Sequence, residues 1–345
     1  MPTDVLGSAI RRLATGASLS SEETSAAFDV IMRGEATPAR IAAVLMALRV
    51  KGETAEEVAG GAQAMRNAMV RLPAHDPDSL VDTCGTGGGS LQTFNISTAA
   101  ALVAAGAGVR VAKHGNRSFT SRSGSADVLE ALGVAVDVPI EVMRRTLERT
   151  GIVFMFAPIM HPAMRHVGPV RRELAIGTLL NVLGPLANPA GAGRQVVGVA
   201  EESRMPLLAG ALAALGSTHA MVVHGEPGMD EISPLGCTRV LEVRSGEIHG
   251  WTIEPARLGL EPASESDLAG GTPEENAGVI LAVLDGGRRD GARSAVLLNA
   301  AAAIYVAGKA PSYEAALAVA EDALDSGKGM RALDALRREE QRGGQ

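Results

Sequence analysis

The chain has 345 residues, of which 46% are hydrophobic and 2% aromatic, and its formal net charge is −7 at pH 7. That length allows two domains, and the apolar fraction is ample for a sizeable core. The negative charge disfavours a general polyanion-binding surface, and the scarcity of aromatic residues disfavours binding to single-stranded nucleic acid. We therefore expect no nucleic-acid partner.

Signals for export or disulfide bonding are weak in this chain. Its two cysteines, Cys84 and Cys237, show neither metal-ligand spacing nor a disulfide framework. The first residues lack the basic and apolar regions of a signal peptide, and the apolar run over 99–107 is too short to span a bilayer. We expect a cytoplasmic protein that does not contact a membrane.

Helix-capping residues organise the first part of the chain. Ser20 and Thr54 are each followed three residues later by a glutamate, which is the pattern of a capping box. Thr3 and the pair Thr37-Pro38 are further predicted helix starts. Apolar residues follow each start at helical spacing and no strand pattern intervenes, so we predict a small all-helical domain.

The pattern changes after residues 72–77, where two prolines indicate a linker or hinge. Short β-branched runs then alternate with helical segments, which predicts βαβ units and a mostly parallel central sheet. The predicted strands cover residues 80–84, 109–113, 134–138, 152–156, 195–199 and 220–224.

The later part of the chain departs from this alternation. Residues 238–253 predict an antiparallel hairpin that turns at Ser245-Gly246. Thr272 and Ser312 are predicted to begin late helices.

A helical pattern over 168–183, bracketed by Pro169 and Pro185, also interrupts the strand-helix alternation. We expect this segment to fold back onto the N-terminal helices. The small helical domain would then comprise residues 1–72 together with 168–185, and the large α/β domain would comprise residues 73–167 and 186–345.

A glycine-rich segment, Gly85-Thr86-Gly87-Gly88-Gly89, follows the first predicted strand. Glycine lets backbone N–H groups approach an anion closely, so this loop predicts a phosphate or pyrophosphate cradle. A tight turn from strand to helix has the same sequence pattern. Ligands of parallel sheets bind at the carboxyl ends of the strands, and several other polar segments also fall at predicted strand ends.

Two of these segments carry hydroxyl groups and positive charge. Ser97-Thr98 begins the next predicted helix, where the residues serve either as an ordinary N-cap or as part of an anion site. Lys113, Arg117 and Arg122 are interspersed with serine and threonine residues. That mixture suits a phosphate group, although a solvated basic loop is the alternative.

Acidic, basic and imidazole groups complete the candidate site. Asp230-Glu231 supplies adjacent hard oxygen ligands suited to Mg²⁺ shared with substrate phosphates, although adjacent acids are usually just surface acids. Arg171 matches a carboxylate bidentately. His114 and His161 are either structural or functional. The sequence has no serine nucleophile elbow, zinc motif or P-loop.

Taken in order, these segments resemble the anthranilate phosphoribosyltransferases over essentially the whole chain. The matching motifs are GTGG at 85–88, NIST at 95–98, KHGNR at 113–117, GSAD at 124–127, LEALG at 129–133, HPAM at 161–164, RREL at 171–174, NVLGPLANP at 181–189 and Asp230-Glu231.

The resemblance implies a fold of the nucleoside phosphorylase and phosphoribosyltransferase class, with a small helical domain beside a large α/β domain. Members are usually homodimers joined through the helical domain. The implied reaction transfers the 5-phosphoribosyl group from phosphoribosyl pyrophosphate (PRPP) to the amine of anthranilate and releases pyrophosphate, in tryptophan biosynthesis.

The resemblance also implies roles for individual residues. The implied substrate-binding set is Gly85, Gly88, Gly89, Thr93, Asn95, Ile96, Ser97, Thr98, Lys113, His114, Gly115, Asn116, Arg117, Ser118, Phe119, Thr120, Ser121, Ser125, His161 and Arg171. Most of this set would line PRPP. Gly85, Asn116 and Arg171 would contact anthranilate, with the two histidines nearby. Ser97, Asp230 and Glu231 would hold Mg²⁺ on the pyrophosphate.

Two positions depart from the family pattern. Gly89 stands where members commonly have Asp, and Gly177 stands where they often have Arg.

Two rival functions have different requirements. A nucleoside phosphorylase shares the architecture, but its lysine segment differs from KHGNR. A non-catalytic nucleic-acid-binding relative conflicts with the charge and composition.

Overall fold

The computed structural model describes residues 4–118 and 122–343. It begins with four helices, α1 (Val5–Ala14), α2 (Ser21–Met32), α3 (Pro38–Lys51) and α4 (Ala55–Ala68). The capping boxes predicted at Ser20 and Thr54 are both present. Asp4 accepts the capping hydrogen bond of α1, while the predicted cap Thr3 lies outside the described residues. Thr37 stands at the N-cap of α3 without a side-chain hydrogen bond.

A buried carboxylate ties the helical domain together. Glu57, in the first turn of α4, is fully buried and accepts hydrogen bonds from the N–H groups of Thr54 and Leu19. The Lys51 ammonium lies 2.9 Å from the same carboxylate. Because a buried charge is costly unless it is paired, this arrangement stabilises one relative placement of α2, α3 and α4.

The large domain is built on a seven-stranded sheet in the order β3-β2-β1-β4-β5-β6-β7. Its strands are β1 (Leu80–Asp82), β2 (Arg110–Gly115), β3 (Ile152–Phe156), β4 (Arg194–Gly198), β5 (His219–Gly225), β6 (Thr238–Arg244) and β7 (Glu247–Ile253). The first five pair in parallel, and β6 and β7 add the predicted antiparallel hairpin. Ser245 and Gly246 form its turn, both at positive φ.

One predicted strand is wrong. Residues 134–138 lie between two helices and form no strand. Val134, Val136 and Val138 are nevertheless buried while Asp137 is exposed, so the alternating pattern reflects an extended segment that covers the core. The other predicted strands are present with shifts of one or two residues at their ends.

The remaining helices cover the sheet or pack against α1–α4. They are α5 (Ile96–Gly106), α6 (Ser125–Ala131), α7 (Ile140–Thr150), α8 (Ala157–Met160), α9 (Gly168–Leu174), α10 (Leu180–Leu183), α11 (Met205–Ala214), α12 (Glu265–Leu268), α13 (Pro273–Leu284), α14 (Gly291–Val306), α15 (Tyr313–Asp325) and α16 (Lys328–Gly343). Thr272 and Ser312 cap α13 and α15, as predicted. The α14 helix is buried along almost its whole length.

The helical segment predicted over 168–183 is interrupted. It forms α9 and α10, and Ala175 ends α9 in the left-handed conformation at φ 52°. Apolar side chains of this segment, including Val170, Leu180 and Leu183, lie in one hydrophobic core with those of α1–α4. In the part of the chain that is described, no helix is both long and apolar enough to cross a bilayer.

Candidate active site

A cavity of about 730 Å³ opens where the parallel strands end. The segments that follow β1, β2, β3 and β5 form one part of its wall, and residues of α4, α9 and α10 form another. The cavity therefore lies between the two domains, at the edge of the sheet where ligands of α/β folds bind.

Fifteen residues of the sequence-derived set line this cavity: Gly85, Gly88, Asn95, Ser97, Lys113, His114, Gly115, Asn116, Arg117, Ser118, Ser125, His161, Arg171, Asp230 and Glu231. Gly89, Thr93, Ile96 and Thr98 do not line it. Ile96 and Thr98 are buried in the core, and Thr93 pairs through its backbone with Ala269. Phe119, Thr120 and Ser121 lie outside the described residues.

The glycine loop after β1 is held against the acidic pair. Gly87 and Gly88 have φ values of 70° and 86°, which side-chain-bearing residues rarely adopt. The Gly87 N–H donates to Asp230 Oδ2 at 2.9 Å, and the Thr86 N–H donates to the carbonyl of Gly198 at 2.8 Å. These two N–H groups are thus used within the protein, while Gly85 and Gly88 line the cavity without a side chain, where an anion can approach the backbone closely.

The acidic pair is desolvated and under mutual repulsion. Burial, followed by the neighbouring Asp230 charge, raises the pKa of Glu231 to about 8. Burial also raises the pKa of Asp230. Glu231 Oε1 accepts the Ser97 N–H at 3.2 Å, which places the start of α5 beside both carboxylates. Burial makes ionisation of these carboxyl groups unfavourable, and a divalent cation would favour their ionised forms. Carboxylate oxygens are also the hard ligands that such a cation prefers.

Lys113 supplies a fixed positive charge beneath this pair. Its side chain is buried, and its ammonium donates to the Thr83 carbonyl at 2.7 Å, to Thr83 Oγ1 at 3.2 Å and to Ser97 Oγ at 3.3 Å. These partners use all three of its N–H groups. Lys113 therefore affects the site through its electrostatic field and through its hydrogen bond to Ser97.

Arg117 is bound to acidic neighbours. Its guanidinium pairs with Glu130, with Nη2 2.8 Å from Oε1, and with Asp127 at 3.1 Å. It also lies 5.5 Å from the centre of the Phe156 ring. The Asp127 carboxylate in turn accepts the N–H groups of Ser118 and Gly124. Arg117 therefore shapes the loop that follows β2, and its charge is largely neutralised.

Two neutral imidazoles and one unopposed guanidinium line the rest of the wall. The rings of His114 and His161 lie 4.9 Å apart and are tilted by 54°. Burial lowers the pKa of His114 to about 3 and that of His161 to about 4, so both rings are neutral at pH 7. Burial also lowers the pKa of Arg171, and no carboxylate among the described residues opposes this shift. An anionic ligand would supply the missing counter-charge.

Sequence reasoning missed a buried polar pair under the site. Asp82, at the end of β1, accepts the His114 N–H at 3.1 Å and the Asn188 amide N–H at 2.7 Å. Asn188 also donates to the Ala112 carbonyl at 2.9 Å. Asp82 and Asn188 thus fix the ends of β1 and β2 from below. The sequence signal that could have revealed this pair is an aspartate within an otherwise apolar predicted strand.

Asp82, Cys84 and His114 also place potential metal-binding atoms within 4.8 Å of one another. Burial raises the pKa of the Cys84 thiol to about 12, so sulfur remains protonated at neutral pH. Both Asp82 oxygens already accept hydrogen bonds. The all-oxygen pair Asp230-Glu231 is therefore the better candidate for Mg²⁺.

Comparison with known families assigns the two domains. Residues 7–69 match a glycosyl transferase family, helical bundle domain, and residues 77–330 match a glycosyl transferase family, a/b domain. The fold and cavity thus define a glycosyl transferase that joins these two domains.

Individual relatives narrow this class. Proteins named anthranilate phosphoribosyltransferase from Rubrobacter xylanophilus and Anaeromyxobacter sp. strain Fw109-5 are 51% and 52% identical, over 96% and 92% of this chain and 96% and 94% of their own length. The chain belongs to the anthranilate phosphoribosyltransferase family. The resemblance inferred from the motifs is confirmed.

Solved structures of this family have the same fold. The crystal structure of the Thermus thermophilus enzyme superposes with a TM-score of 0.91 at 44% identity, covering 96% of this chain and 99% of that one. The Saccharomyces cerevisiae enzyme in complex with PRPP and Mg gives a TM-score of 0.89 at 29% identity and covers 99% of each chain.

Proposed function

We propose that this protein transfers the 5-phosphoribosyl group of PRPP to the amine of anthranilate, yielding N-(5-phosphoribosyl)anthranilate and pyrophosphate in tryptophan biosynthesis. One observation carries the proposal. A glycine loop, a pair of desolvated carboxylates and an unopposed guanidinium share a single cavity of about 730 Å³. That volume suits two small substrates held together.

PRPP is assigned to the strand-end wall of the cavity. Its diphosphate would accept hydrogen bonds from the backbone of the glycine loop and from the start of α5. The assigned residues are Gly85, Gly88, Asn95, Ser97, Lys113, Gly115, Asn116, Arg117, Ser118 and Ser125. Arg117 and Lys113 contribute through the loop shape and the local field. Gly89, Thr93, Ile96 and Thr98 would shape the site from behind, and the assignment of Phe119, Thr120 and Ser121 remains a prediction.

Mg²⁺ is assigned to Ser97, Asp230 and Glu231. The fit rests on oxygen donors that line one wall of the cavity, and because burial raises the pKa of both carboxyls, a bound cation would favour their ionised forms. When bound, the ion would neutralise charge that develops on the departing diphosphate. The structure of the yeast relative in complex with PRPP and Mg supports this assignment.

Anthranilate is assigned to the wall formed by the helical-domain segments. Its carboxylate would pair bidentately with Arg171, and its ring would lie near the neutral His114 and His161 rings. Gly85 and Asn116 would contact it from the strand-end side. The neutral histidines matter because a cationic imidazole would compete with Arg171 for the carboxylate.

The proposed mechanism uses positioning and charge stabilisation. Departure of diphosphate from the ribose C1 gives an oxocarbenium-like state, so no covalent nucleophile is needed. Backbone amides of the glycine loop stabilise the diphosphate leaving group. The positive charge of Lys113 also stabilises the negative charge that develops on this group. Arg171 holds the amine acceptor in line with C1, which removes most of the entropic cost of a two-substrate reaction.

We also propose that the small domain is discontinuous and mediates a homodimer. Apolar side chains of α9 and α10 pack in one core with α1–α4, which supports residues 1–72 with 168–185 as one unit beside a large domain of 73–167 and 186–345, and the same core extends to α11 and the adjoining strands of the large domain. Val50 and Ile176, which lie on this unit, are 80% and 47% exposed. Burying them against a second copy would remove apolar surface from water. We further propose that the protein acts in the cytoplasm.

A fluorescence assay of anthranilate consumption tests the proposed reaction. Purified protein with PRPP and Mg²⁺ should consume anthranilate and release one pyrophosphate for each molecule consumed. Omission of Mg²⁺ should stop turnover. Phosphorolysis of thymidine by the same preparation, without use of anthranilate, would favour a nucleoside phosphorylase and contradict the proposal.

A pair of double variants tests the role of the carboxylates. Asp230→Ala with Glu231→Ala should abolish Mg²⁺-dependent turnover. The matched control is Glu321→Ala with Asp322→Ala, which removes two adjacent acids from α15, away from the cavity. Equal activity of the two double variants would remove the metal role from Asp230 and Glu231.

A further inference from the structure

The backbone directly after the two carboxylates is held by a buried amide side chain. Asn299 lies within α14 and is 4% exposed. Its Oδ1 accepts the Ile232 N–H at 2.9 Å, and its Nδ2 donates to the Ile232 carbonyl at 2.9 Å. The same Nδ2 donates to the Ala295 carbonyl at 2.9 Å. One side chain therefore binds both polar backbone groups of the residue that follows Glu231.

The chemistry of this contact requires an amide. A donor and an acceptor must lie side by side to match the two backbone groups of Ile232, and the amides of Asn and Gln carry that pair without a change of protonation state. The next turn of its own helix is apolar, since residues 300–304 of α14 are buried alanines and an isoleucine. A polar group in such a place is costly unless it is hydrogen-bonded, and all of its bonds here serve the loop or its own helix.

The position of Asn299 relative to the site is equally specific. It lines a small void together with Gly85, Ser97, Asp230 and Glu231. That void has room for about one water molecule, at roughly 10 Å³. Asn299 therefore lies directly behind the groups assigned to the metal and the diphosphate.

The acidic pair belongs to a loop and has no strand to fix it. Residues 226–237 between β5 and β6 form turns and bends. Gly87 and Ser97 bind the Asp230 and Glu231 side chains from the cavity side, and Ile232 is buried on the opposite side. The Asn299 clamp joins this loop to the α14 helix, and further hydrogen bonds join the loop to the end of β5 and to Ser90.

We propose that Asn299 is a positioning residue for the phosphoribosyl transfer. It fixes the backbone at Ile232, so that the Asp230 and Glu231 carboxylates face Ser97 and the cavity together. This inference rests on the proposed role of the two carboxylates as Mg²⁺ ligands.

Binding of Mn²⁺, measured by electron paramagnetic resonance in the presence of pyrophosphate, tests the clamp without turnover. Asn299→Ala removes all three bonds. Asn299→Ser removes both bonds to Ile232 and leaves a hydroxyl that can bond to Ala295 within the helix. The matched control is Ser294→Ala, which loses a partly buried 2.9 Å bond from the same helix to the Glu261 carbonyl.

We expect both Asn299 variants to weaken Mn²⁺ binding about tenfold or more, the range seen when supports of metal ligands are removed. The Mg²⁺ concentration for half-maximal activity should rise by a similar factor, while the KM for anthranilate changes less than about twofold. Ser294→Ala should change neither the Mn²⁺ affinity nor the Mg²⁺ requirement, even if it lowers the melting temperature as much as the Asn299 variants do.

The outcomes separate the two levels of the proposal. Absence of Mn²⁺ binding by the wild-type protein would contradict the metal role of Asp230 and Glu231. Wild-type binding that Asn299→Ser retains unchanged would overturn the clamp alone. Equal weakening in Asn299→Ser and Ser294→Ala would also overturn it, because loss of helix packing would then account for both.

Discussion

Substitution of Gly198 by alanine perturbs the acidic pair through the backbone. Gly198 ends β4, and a Cβ added there would lie 1.7 Å from the Asp230 carbonyl oxygen and 2.5 Å from its carbon. Real Cβ contacts are essentially never shorter than 3.0 Å. Because the added Cβ would clash with main-chain atoms of Asp230, no change of side-chain rotamer can relieve the clash. The Asp230 backbone must retreat by more than about 1 Å, and the two carboxylates move with it.

The size of the effect follows from this displacement. A shift of about 1 Å in a catalytic constellation costs roughly a hundredfold in rate, or about 2.7 kcal/mol. Forcing an extra methyl group into a packed site costs a further ~1–3 kcal/mol of folding free energy. We therefore expect Gly198→Ala to lower kcat/KM for PRPP about a hundredfold or more.

The assay compares kcat/KM for PRPP at saturating anthranilate with urea unfolding of the same samples. Gly177→Ala is the control, because a Cβ there meets no atom within 4 Å. It should retain near wild-type activity and stability. A folded Gly198→Ala protein with kcat/KM within about threefold of wild type would refute the inference that close packing of the Asp230 backbone against Gly198 positions the carboxylate.

Three further predictions concern other groups. Arg171→Ala should raise the KM for anthranilate roughly ten- to a hundredfold with little change in PRPP binding, and an equal loss of both would refute its pairing with the carboxylate. Because the pKa values of His114 and His161 lie near 3 and 4, the unfolded chain binds more protons below pH 6.5, and stability falls as the pH drops. His161→Gln should lessen that fall by about 2 kcal/mol between pH 7 and pH 5, measured by urea unfolding, and an unchanged difference between the two pH values would contradict a buried neutral ring. Glu242→Gln should destabilise folding by about 1–3 kcal/mol, because one Glu242 oxygen accepts the Trp251 indole N–H at 2.9 Å, the other accepts the Tyr305 hydroxyl at 2.9 Å, and Gln has a single acceptor oxygen; an unchanged Trp251 fluorescence melting curve would argue against these two bonds.

Local signals predicted local structure well. The capping boxes at Ser20 and Thr54 are satisfied within four residues of chain, so nothing distant can override them. The turn at Ser245-Gly246 is fixed in the same way by residues that tolerate positive φ. Residues 134–138 were misassigned because alternating burial also arises in an extended segment without a strand partner.

The sequence predicted many of the residues that line the candidate cavity, but only partly how they are arranged. The residues gathered in the cavity were identified by their motifs, but their contacts depend on distant partners. Arg117 faces Glu130 and Asp127, and Asn299 reaches Ile232 across 67 residues of sequence. Pairings of that kind follow from the packing of helices on the sheet, which no local pattern encodes.

The two departures from the family pattern have different surroundings. A side chain at Gly89 would begin 2.9 Å from Asp230 Oδ1, so this position directly adjoins the acidic pair. The neighbouring Ser90 hydroxyl donates to the carbonyls of Pro227 and Gly228, which ties the glycine loop to the acidic loop. Gly177 faces open space, where a long side chain would fit without repacking.

A crystal structure of the protein with Mg²⁺, pyrophosphate and anthranilate tests the shared cavity most directly. We expect the diphosphate against Gly85–Gly88 and Ser97, the ion on Asp230 and Glu231, and the anthranilate carboxylate on Arg171. Diphosphate bound at another surface, or anthranilate bound in a separate cavity, would contradict the proposed transfer between two substrates held side by side.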